Sequence, residues 1–309
     1  MHNKLLRLGK LTGPSKNTYE KSQEYFNETI KKLFDEENLV SQELVEIPAD
    51  LLDVLNNDLV HKETIGSRPH TRHKTYLDKS AETALLVDDM TSRPGKNFMV
   101  EFKPKWLAQS PNAPNHPLRC RTCALRALMH HMRESRPGLS KETVWCPLCL
   151  VQGNESDVKR TVDTILAKQP FFAGLDGQTK QRVTDRLYRY FIGDGRQLLR
   201  KLAEHQQRLD PHGVLCVVTK ATVKKDLLTA MSLRDCTLYL RFSWDESNSV
   251  EARFGDLDVK QPVNTKLAYW KDIERSLINS GFYIGEEKNG FSDKACLLTL
   301  KFPDFPYFM

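Results

Sequence analysis

Two runs of alternating apolar and polar residues constrain the fold more than any other feature of this 309-residue chain. In the first run, every second residue from Cys236 to Trp244 is apolar or cysteine, and the residues between them are mostly polar. The second run repeats this alternation from Val250 to Phe254. A period of two is typical of a β-strand with one buried face. Because only a short polar segment separates the runs, they predict a β-hairpin.

Carboxylates stand at the open end of this predicted hairpin. Asp235 precedes the first strand and Asp256 follows the second, so both side chains are expected at one end of the ribbon. Asp258 and Lys260 continue at intervals of two, on the same predicted strand face. Because Mg²⁺ takes one or two carboxylates, we predict Asp256 as its ligand and Asp258 as the second choice. Asp235 would accept the proton of an attacking hydroxyl, although both strand-end aspartates are also compatible with simple turn caps.

A second strand end supplies positive charge. Residues 98–102 have the pattern of a strand, which Lys103, Pro104 and Lys105 close. Because a proline disfavours helix in the preceding residue, we expect both lysines on extended backbone. Cations, a metal-binding carboxylate and a base are what a protein contributes to phosphoryl transfer. The two strand ends are therefore predicted to form one phosphoryl-transfer site.

Four cysteines form two CxxC pairs separated by 22 residues: Cys120, Cys123, Cys146 and Cys149. This spacing is close to that of tetrahedral zinc sites, so we predict a structural zinc ion that holds the loop after Lys105. The alternatives are buried core cysteines, or a disulfide, which a reducing compartment disfavours. The other three cysteines lie in strand-like runs and are expected in the core: Cys216, Cys236 and Cys296.

Composition narrows the cellular setting and the partners. The formal charge of +6 suits a small anionic ligand and lacks the dense basic clusters of nucleic-acid binders. No apolar run approaches the ~20 residues of a membrane span, and the N-terminus has no secretory signal. Seven cysteines in such a chain indicate a reducing compartment. We expect an intracellular monomer, in the cytoplasm or nucleus, without a membrane or nucleic-acid partner.

Five short motifs are weak individually and specific in combination. They are Glu101–Trp106, Cys-Arg-x-Cys at 120–123, Cys-Pro-Leu at 146–148, Leu227–Thr237 and Asp256–Lys260. In this order and spacing they resemble the inositol-pentakisphosphate 2-kinase family, particularly its fungal members. The resemblance covers about residues 95–285, with weaker similarity before them.

The resemblance implies an α/β (α+β) fold with two lobes, distantly related to protein kinases and inositol-polyphosphate kinases. Residues 1–95 would form the N-lobe and residues 96–309 the C-lobe. A mainly helical insertion at about 107–208 would bind the inositol phosphate, and the hairpin at about 236–260 would be catalytic. The implied reaction moves the γ-phosphate of ATP to the 2-hydroxyl of inositol 1,3,4,5,6-pentakisphosphate, which gives hexakisphosphate.

The family's catalytic residues can be carried over onto matching positions. Asp235 matches the base and Asp256 a Mg²⁺ ligand. Lys103, Lys105 and Lys260 match lysines that bind phosphate. The implied substrates are thus inositol pentakisphosphate and ATP, with Mg²⁺ as cofactor.

The nucleotide site matches less completely. Arg7 resembles a cation that contacts ATP phosphates, and Asp88 and Asp89 fall about where the family's hinge meets adenine. Family members carry a glycine-rich hairpin before the Arg7 strand, and this chain begins at that strand. We expect either a truncated sequence, which we favour, or poor nucleotide binding. Leu125 and Met129 also stand where many relatives carry His and Lys.

A helix predicted over 120–133 offers replacements for that pair. Arg119, Arg126 and Arg133 recur every seven residues, and His130 lies four beyond Arg126. We predict that Arg126 and His130 bind substrate, because a compact polyphosphate must be surrounded by cations from several elements. A solvated helix face is the alternative.

Two other classes of function stay open. One is a non-catalytic relative that binds inositol polyphosphates; the retained aspartates argue against it, since carboxylates repel a polyanion unless a metal lies between. The other is a zinc-containing nucleic-acid-binding module, suggested by the paired cysteines and the basic balance. Its aromatic residues should then interleave with basic ones on an exposed face, and the four tryptophans are instead scattered.

Overall fold

The computed structural model describes residues 4–9, 19–134, 145–218, 223–245, 250–260, 264–285 and 296–301. The chain divides into two compact units, Met1–Met99 and Val100–Met309, with the division inside one strand. Two three-stranded sheets and a larger number of helices make the architecture α+β, which confirms the mixed class predicted from the sequence. Each unit is described by itself.

The first unit is built on a sheet in the order β1-β3-β2. Its strands are β1 (Lys4–Arg7), β2 (Gln42–Glu46) and β3 (Thr83–Asp88), and the central β3 pairs antiparallel with both neighbours. The helices are α1 (Tyr19–Glu28) and α2 (Leu51–Thr64). Buried side chains of β3 and α1 form the core of this unit: Ala84, Leu85, Tyr25 and Phe26.

The second sheet has the order β4-β5-β6 and contains the predicted hairpin. Strand β4 (Asn97–Phe102) lies beside β5 (Thr237–Ser243), which pairs antiparallel with β6 (Val250–Gly255). The register places Thr237 opposite Gly255, so the residues flanking both strands meet at one end. The alternating apolar residues of the hairpin are fully buried, which confirms the predicted pattern: Leu238, Leu240, Phe242 and Phe254.

Helices make up most of the rest of the second unit. Local sequence signals explain several of their starts: Asn154 and Asp157 form a capping box, and Asp176 accepts a hydrogen bond from the amide of Thr179. In chain order the helices are α3 (Arg121–Glu134), α4 (Pro147–Gln152), α5 (Glu155–Leu166), α6 (Pro170–Ala173), α7 (Gly177–Ile192), α8 (Asp194–Leu209), α9 (Lys225–Leu233), α10 (Asn264–Asn279) and α11 (Leu297–Lys301).

Two sequence expectations about these elements were wrong. The pattern of residues 178–207 predicts a single helix, but the structure has two helices, α7 and α8, which separate at Gly193. The apolar run at 214–218 predicts a buried strand, but the structure has a 3₁₀ turn at Val214–Cys216, and Cys216 and Val218 are exposed. A short apolar run fits a strand and a helical turn equally well, so periodicity could not separate them.

In the described part of the chain, no helix combines the length and the apolar character that membrane crossing requires.

Candidate active site

Asp235 lies in the turn after α9 and is surrounded by three lysines. Lys105 Nζ is 3.0 Å from Asp235 Oδ1, and Lys260 Nζ is 2.9 Å from Oδ2. Lys103 Nζ donates to the Asp235 backbone carbonyl at 2.7 Å and lies 3.5 Å from Oδ1. The segments after β4 and after β6 therefore converge on one carboxylate.

The charge state of Asp235 follows from these contacts. Partial burial favours the protonated form, but hydrogen bonds from Lys260 and Lys105, together with their positive charges, outweigh it. They hold the pKa of Asp235 well below its usual value of 3.8. The carboxylate is therefore ionised throughout the physiological range.

Asp256 forms a second oxygen site beside this cluster. It follows β6 directly, with its backbone in the left-handed region at φ 55°. Its Oδ2 accepts a hydrogen bond from Thr237 Oγ1 at 2.8 Å and lies 3.6 Å from Lys103 Nζ. Asp258 is anchored differently, because its backbone carbonyl accepts from Ser232 Oγ at 2.6 Å. Asp256 therefore presents a half-exposed carboxylate, the type of protein ligand that Mg²⁺ takes.

The backbone of Lys105 departs from the expected extended conformation. Strand β4 ends at Phe102, and Lys105 has a φ of 61°, in the left-handed region that a side chain with a Cβ rarely adopts. Pro104 restricts the residue before it, Lys103, and leaves Lys105 free to take this conformation. Its Nζ thereby reaches Asp235.

A cavity of about 470 Å³ opens beside Asp235. It is bounded by the first part of α3, by the end of α9, by α10 and by the segment after β4. Six cations line it: Lys105, Arg121, Arg126, Arg234, Lys260 and Lys266. Aromatic rings supply another part of the wall: Trp106, Tyr269 and Trp270. A ring of cations around one carboxylate is suited to a compact anion with several phosphates.

Two buried arginines fix the ring of Trp106 in this wall. The guanidinium of Arg234 lies 3.6 Å from the ring centre and pairs with Asp210 at 2.6 Å. The guanidinium of Arg121 lies 5.2 Å from the ring and pairs with Glu274 at 2.7 Å. Within the described residues, Arg121 Nη1 is buried without a hydrogen-bond partner. Arg121 is also one of the residues that line the cavity.

Helix α3 contributes differently from the predicted cationic stripe. Arg126 lines the cavity, but its Nη1 donates to the carbonyl of Trp145 and its guanidinium lies over the Trp145 ring. His130 is not part of the lining. Arg119 precedes the helix and is buried, and its Nη1 donates to the carbonyl of Phe282. The prediction that Arg119 continues the row of cations on the helix face was therefore wrong. The side chain of Arg133 lies outside the described residues.

Comparison with known proteins decides the family. The family model for inositol-pentakisphosphate 2-kinase matches residues 1–276. The chain belongs to the inositol-pentakisphosphate 2-kinase family. An inositol-pentakisphosphate 2-kinase from Yarrowia lipolytica is 32% identical over 236 residues, which are 76% of this chain and 66% of that relative. The chain thus spans just under two thirds of the relative's length.

The residues that the 2-kinase resemblance assigned to ATP lie in the first unit. Arg7 ends β1 and pairs in register with Leu85. Asp88 pairs with Lys4 at 2.6 Å and accepts from the amide of Ser41 at 3.1 Å. Asp89 accepts from the amide and the hydroxyl of Thr91, at 2.9 and 2.7 Å. Both aspartates therefore have structural contacts within the first unit.

The cysteines of this 2-kinase family member form a group different from the predicted one. The sulfurs of Cys120, Cys123, Cys146 and Cys296 all lie within 4.8 Å of one another. Cys149 is buried but lies outside this group, so Cys296 takes the place predicted for it. The Cys120 and Cys146 sulfurs are 3.6 Å apart, near the ~3.8 Å that a tetrahedron with Zn–S of about 2.3 Å requires. Four converging thiols fit zinc.

Sequence reasoning missed several residues of the cavity. Arg121 lies inside the first CxxC pair, where the cysteines drew attention to a metal. Lys266 and Tyr269 lie on the solvent-facing side of an amphipathic helix and look like ordinary surface residues. Only the packing of α10 against α3 places them at the cavity.

Proposed function

We propose that this protein transfers the γ-phosphate of ATP to the 2-hydroxyl of inositol 1,3,4,5,6-pentakisphosphate and so forms hexakisphosphate. The observation that carries the proposal is the ionised Asp235, held by three lysines at the wall of a cavity lined with cations. Family membership and the name of the Yarrowia relative support the same reaction.

The cavity would bind and orient the pentakisphosphate. Its phosphates would pair with Lys105, Lys260, Arg121 and Lys266, which approach from different elements. One hydroxyl of the bound ring would then lie beside Asp235, because the lysines that would hold the phosphates lie next to this carboxylate. Phosphate binding would draw lysine charge away from Asp235 and leave its oxygen able to accept the hydroxyl proton. Little further covalent chemistry is required of the protein.

Asp256 is the residue that we assign to Mg²⁺, with Thr237 holding its carboxylate and Asp258 as the further candidate. When bound, Mg²⁺ neutralises charge on the transferred phosphate and its neighbour. Lys103 contacts both Asp235 and Asp256, so it can hold the two carboxylates in place before substrates arrive.

We assign the first unit to the N-lobe, about residues 1–95, and the second to the C-lobe of a two-lobed kinase-like fold. The helical insertion at about 107–208 and the hairpin region at about 236–260 belong to the second unit. Arg7, Asp88 and Asp89 are the candidates for ATP contacts. The carboxylates of Asp88 and Asp89 accept hydrogen bonds within the unit, and Arg7 is the only cation of the three, so Arg7 is the one whose charge complements the ATP phosphates.

We also assign a structural zinc ion to Cys120, Cys123, Cys146 and Cys296. Hydrogen bonds from Cys120 and the neighbouring thiols lower the pKa of Cys146 well below its ordinary value, which favours a thiolate at this position. With four sulfur ligands the ion has no open position, so its role is to hold the starts of α3, α4 and α11 together.

The test is single-turnover phosphorylation of inositol pentakisphosphate with Mg·ATP by the wild type and Asp235→Asn. The variant keeps the shape of the side chain and loses the proton acceptor, so we expect the rate to fall at least ~100-fold. Asp272→Asn on the exposed face of α10 is the control and should keep the wild-type rate. Binding of pentakisphosphate without turnover by the wild type would instead support the non-catalytic binding protein.

A further inference from the structure

Gln206 is a buried glutamine that the phosphoryl-transfer chemistry does not use, and it contacts both halves of the candidate site. It lies on α8 and is 1% exposed. Its Nε2 donates to the carbonyl of Lys105 at 2.9 Å and to the carbonyl of Leu233 at 3.3 Å. Its Oε1 accepts from the amide of Leu107 at 3.0 Å. All three polar partners are backbone groups.

These partners belong to the two chain segments that carry Lys105 and Asp235. Lys105 and Leu107 bracket Trp106 in the segment after β4, and Leu233 is two residues before Asp235. The backbone carbonyl of Gln206 also accepts from Arg234 Nη2 at 3.3 Å. One residue of α8 therefore joins the lysine segment to the turn that carries the base.

The segment that Gln206 holds is conformationally strained. Lys105 has a φ of 61°, in the left-handed region that is unfavourable for a residue with a Cβ. Such a conformation persists only where the surrounding structure fixes it, and the Gln206 amide binds the peptide groups on both sides of Trp106. Without these bonds the segment can relax and withdraw Lys105 Nζ from Asp235.

An amide is the one side chain that matches this environment. Two carbonyls require two donors and one amide requires an acceptor, and a glutamine supplies this set while remaining neutral. A carboxylate would lack the donors, and an apolar side chain would remove the Gln206 partner from the Lys105 carbonyl, the Leu107 amide and the Leu233 carbonyl. We propose that Gln206 is a positioning residue that sets the geometry between Lys105 and Asp235; this inference rests on the proposed kinase function.

The chain contains a matched control. Gln169 is also buried, at 7% exposure, and its amide bridges the amide and carbonyl of Glu101 and the carbonyl of Ile165. It belongs to the same unit and holds the neighbouring strand β4, but it contacts no residue of the Asp235 cluster through these bonds. Gln206→Met and Gln169→Met each remove three hydrogen bonds and keep the side-chain volume.

The experiment compares kcat, the KM for pentakisphosphate and the melting temperature of both variants with the wild type. We expect similar losses of melting temperature, because the buried bonds are equivalent. Only Gln206→Met should lower kcat, by about 10- to 100-fold, since small misplacements of reacting groups have effects of this size. Equal kcat values for the two variants would overturn the positioning role.

A second readout separates this inference from the proposed function. Hydrogen exchange of the Leu107 amide, measured by mass spectrometry on peptides from 103–110, should accelerate in Gln206→Met and stay unchanged in Gln169→Met. An inactive wild type would refute the kinase proposal, and the exchange data would still decide whether Gln206 holds the segment. Unchanged exchange at Leu107 in Gln206→Met would refute the Gln206 inference alone.

Discussion

At the scale of single residues, the site depends on an excess of cations around Asp235. Three ammonium groups lie within about 3.5 Å of one carboxylate, and only the ionised carboxylate offsets their mutual repulsion. The same excess prepares the site for phosphates, which would replace the carboxylate as partners of the lysines. Stability and ligand binding therefore depend on the same charges.

This arrangement predicts a pH-dependent effect of Asp235→Asn on stability. The folded-state pKa of Asp235 lies below the usual value of 3.8, so its ionised form stabilises the fold above that pH. As the pH falls below about 4, the unfolded chain takes up the proton first and the contribution is lost. We expect Asp235→Asn to melt below the wild type at pH 7, by a small margin because the carboxylate is nearly half exposed.

Melting curves of both proteins between pH 7 and pH 3.5 check this, with Asp272→Asn as the control for loss of an exposed aspartate. The gap between wild type and Asp235→Asn should narrow towards acid. A variant more stable than the wild type at pH 7 would show that the lysine cluster does not stabilise the ionised carboxylate.

Sequence reasoning reached part of this residue-scale picture. The ends of the strands predicted that Lys103, Lys105, Asp235 and Asp256 would meet, because neighbouring strands bring their flanking residues together. The sequence could not predict the left-handed backbone of Lys105, since that conformation depends on partners about 100 residues away. The roles of these residues in catalysis stay predictions.

At the scale of elements, the cysteine group links three helix starts. Cys120 and Cys123 stand at the start of α3, Cys146 is the N-cap of α4, and Cys296 directly precedes α11. Cys149, inside α4, is buried, and its thiol contacts Cys146 and lies near Thr161. A metal bound by four sulfurs would make these helix ends one structural unit.

This geometry predicts different effects of two cysteine substitutions. Cys296→Ser removes a ligand, so the purified protein should contain much less than one zinc per chain and should melt at a lower temperature. Cys149→Ser should keep the zinc, because its sulfur lies outside the group. Metal analysis of both variants, together with release of zinc from the wild type by a chelator, checks the assignment. Zinc retained in Cys296→Ser and lost from Cys149→Ser would show that the two CxxC pairs, including Cys149, bind the metal.

The elements also show where sequence patterns are informative. The hairpin followed from strict alternation, which only a strand with one buried face satisfies over several residues. The spacing of the CxxC pairs predicted a group of four cysteines but included Cys149 where the structure has Cys296, because a cysteine 147 residues further along the chain carries no spacing signal. The break between α7 and α8 was missed because apolar periodicity continues through Gly193.

At the scale of the whole molecule, the net positive charge is small, but cations are concentrated at one cavity. The net charge is only +6, yet six cations line one cavity. Composition therefore gave little indication of a polyanion site, and the resemblance of ordered motifs gave most of it. The sequence could not show which surface lysines take part, because an exposed lysine at the cavity and one elsewhere have the same local pattern.

Substitutions of two cations on different helices distinguish the effect of a charge at the cavity from the effect of the net charge. Lys266 on α10 lines the cavity, and Arg189 on α7 is exposed and does not. Lys266→Gln and Arg189→Gln each lower the net charge by one, so a general electrostatic attraction would respond equally to both. We expect Lys266→Gln to raise the KM for pentakisphosphate about 5- to 10-fold at low salt, and Arg189→Gln to leave it within about 2-fold, since only a contact at the cavity is lost.

Repeating the measurement from about 50 to 300 mM KCl adds a second criterion. The wild-type KM should rise with salt, because screening weakens the interaction between cations and phosphates. The difference between wild type and Lys266→Gln should shrink as salt increases, since the missing contact is itself electrostatic. Equal KM values for the two variants at every salt concentration would mean that α10 does not form the wall of the substrate site. In that case the substrate would bind through the Asp235 lysines and α3 alone.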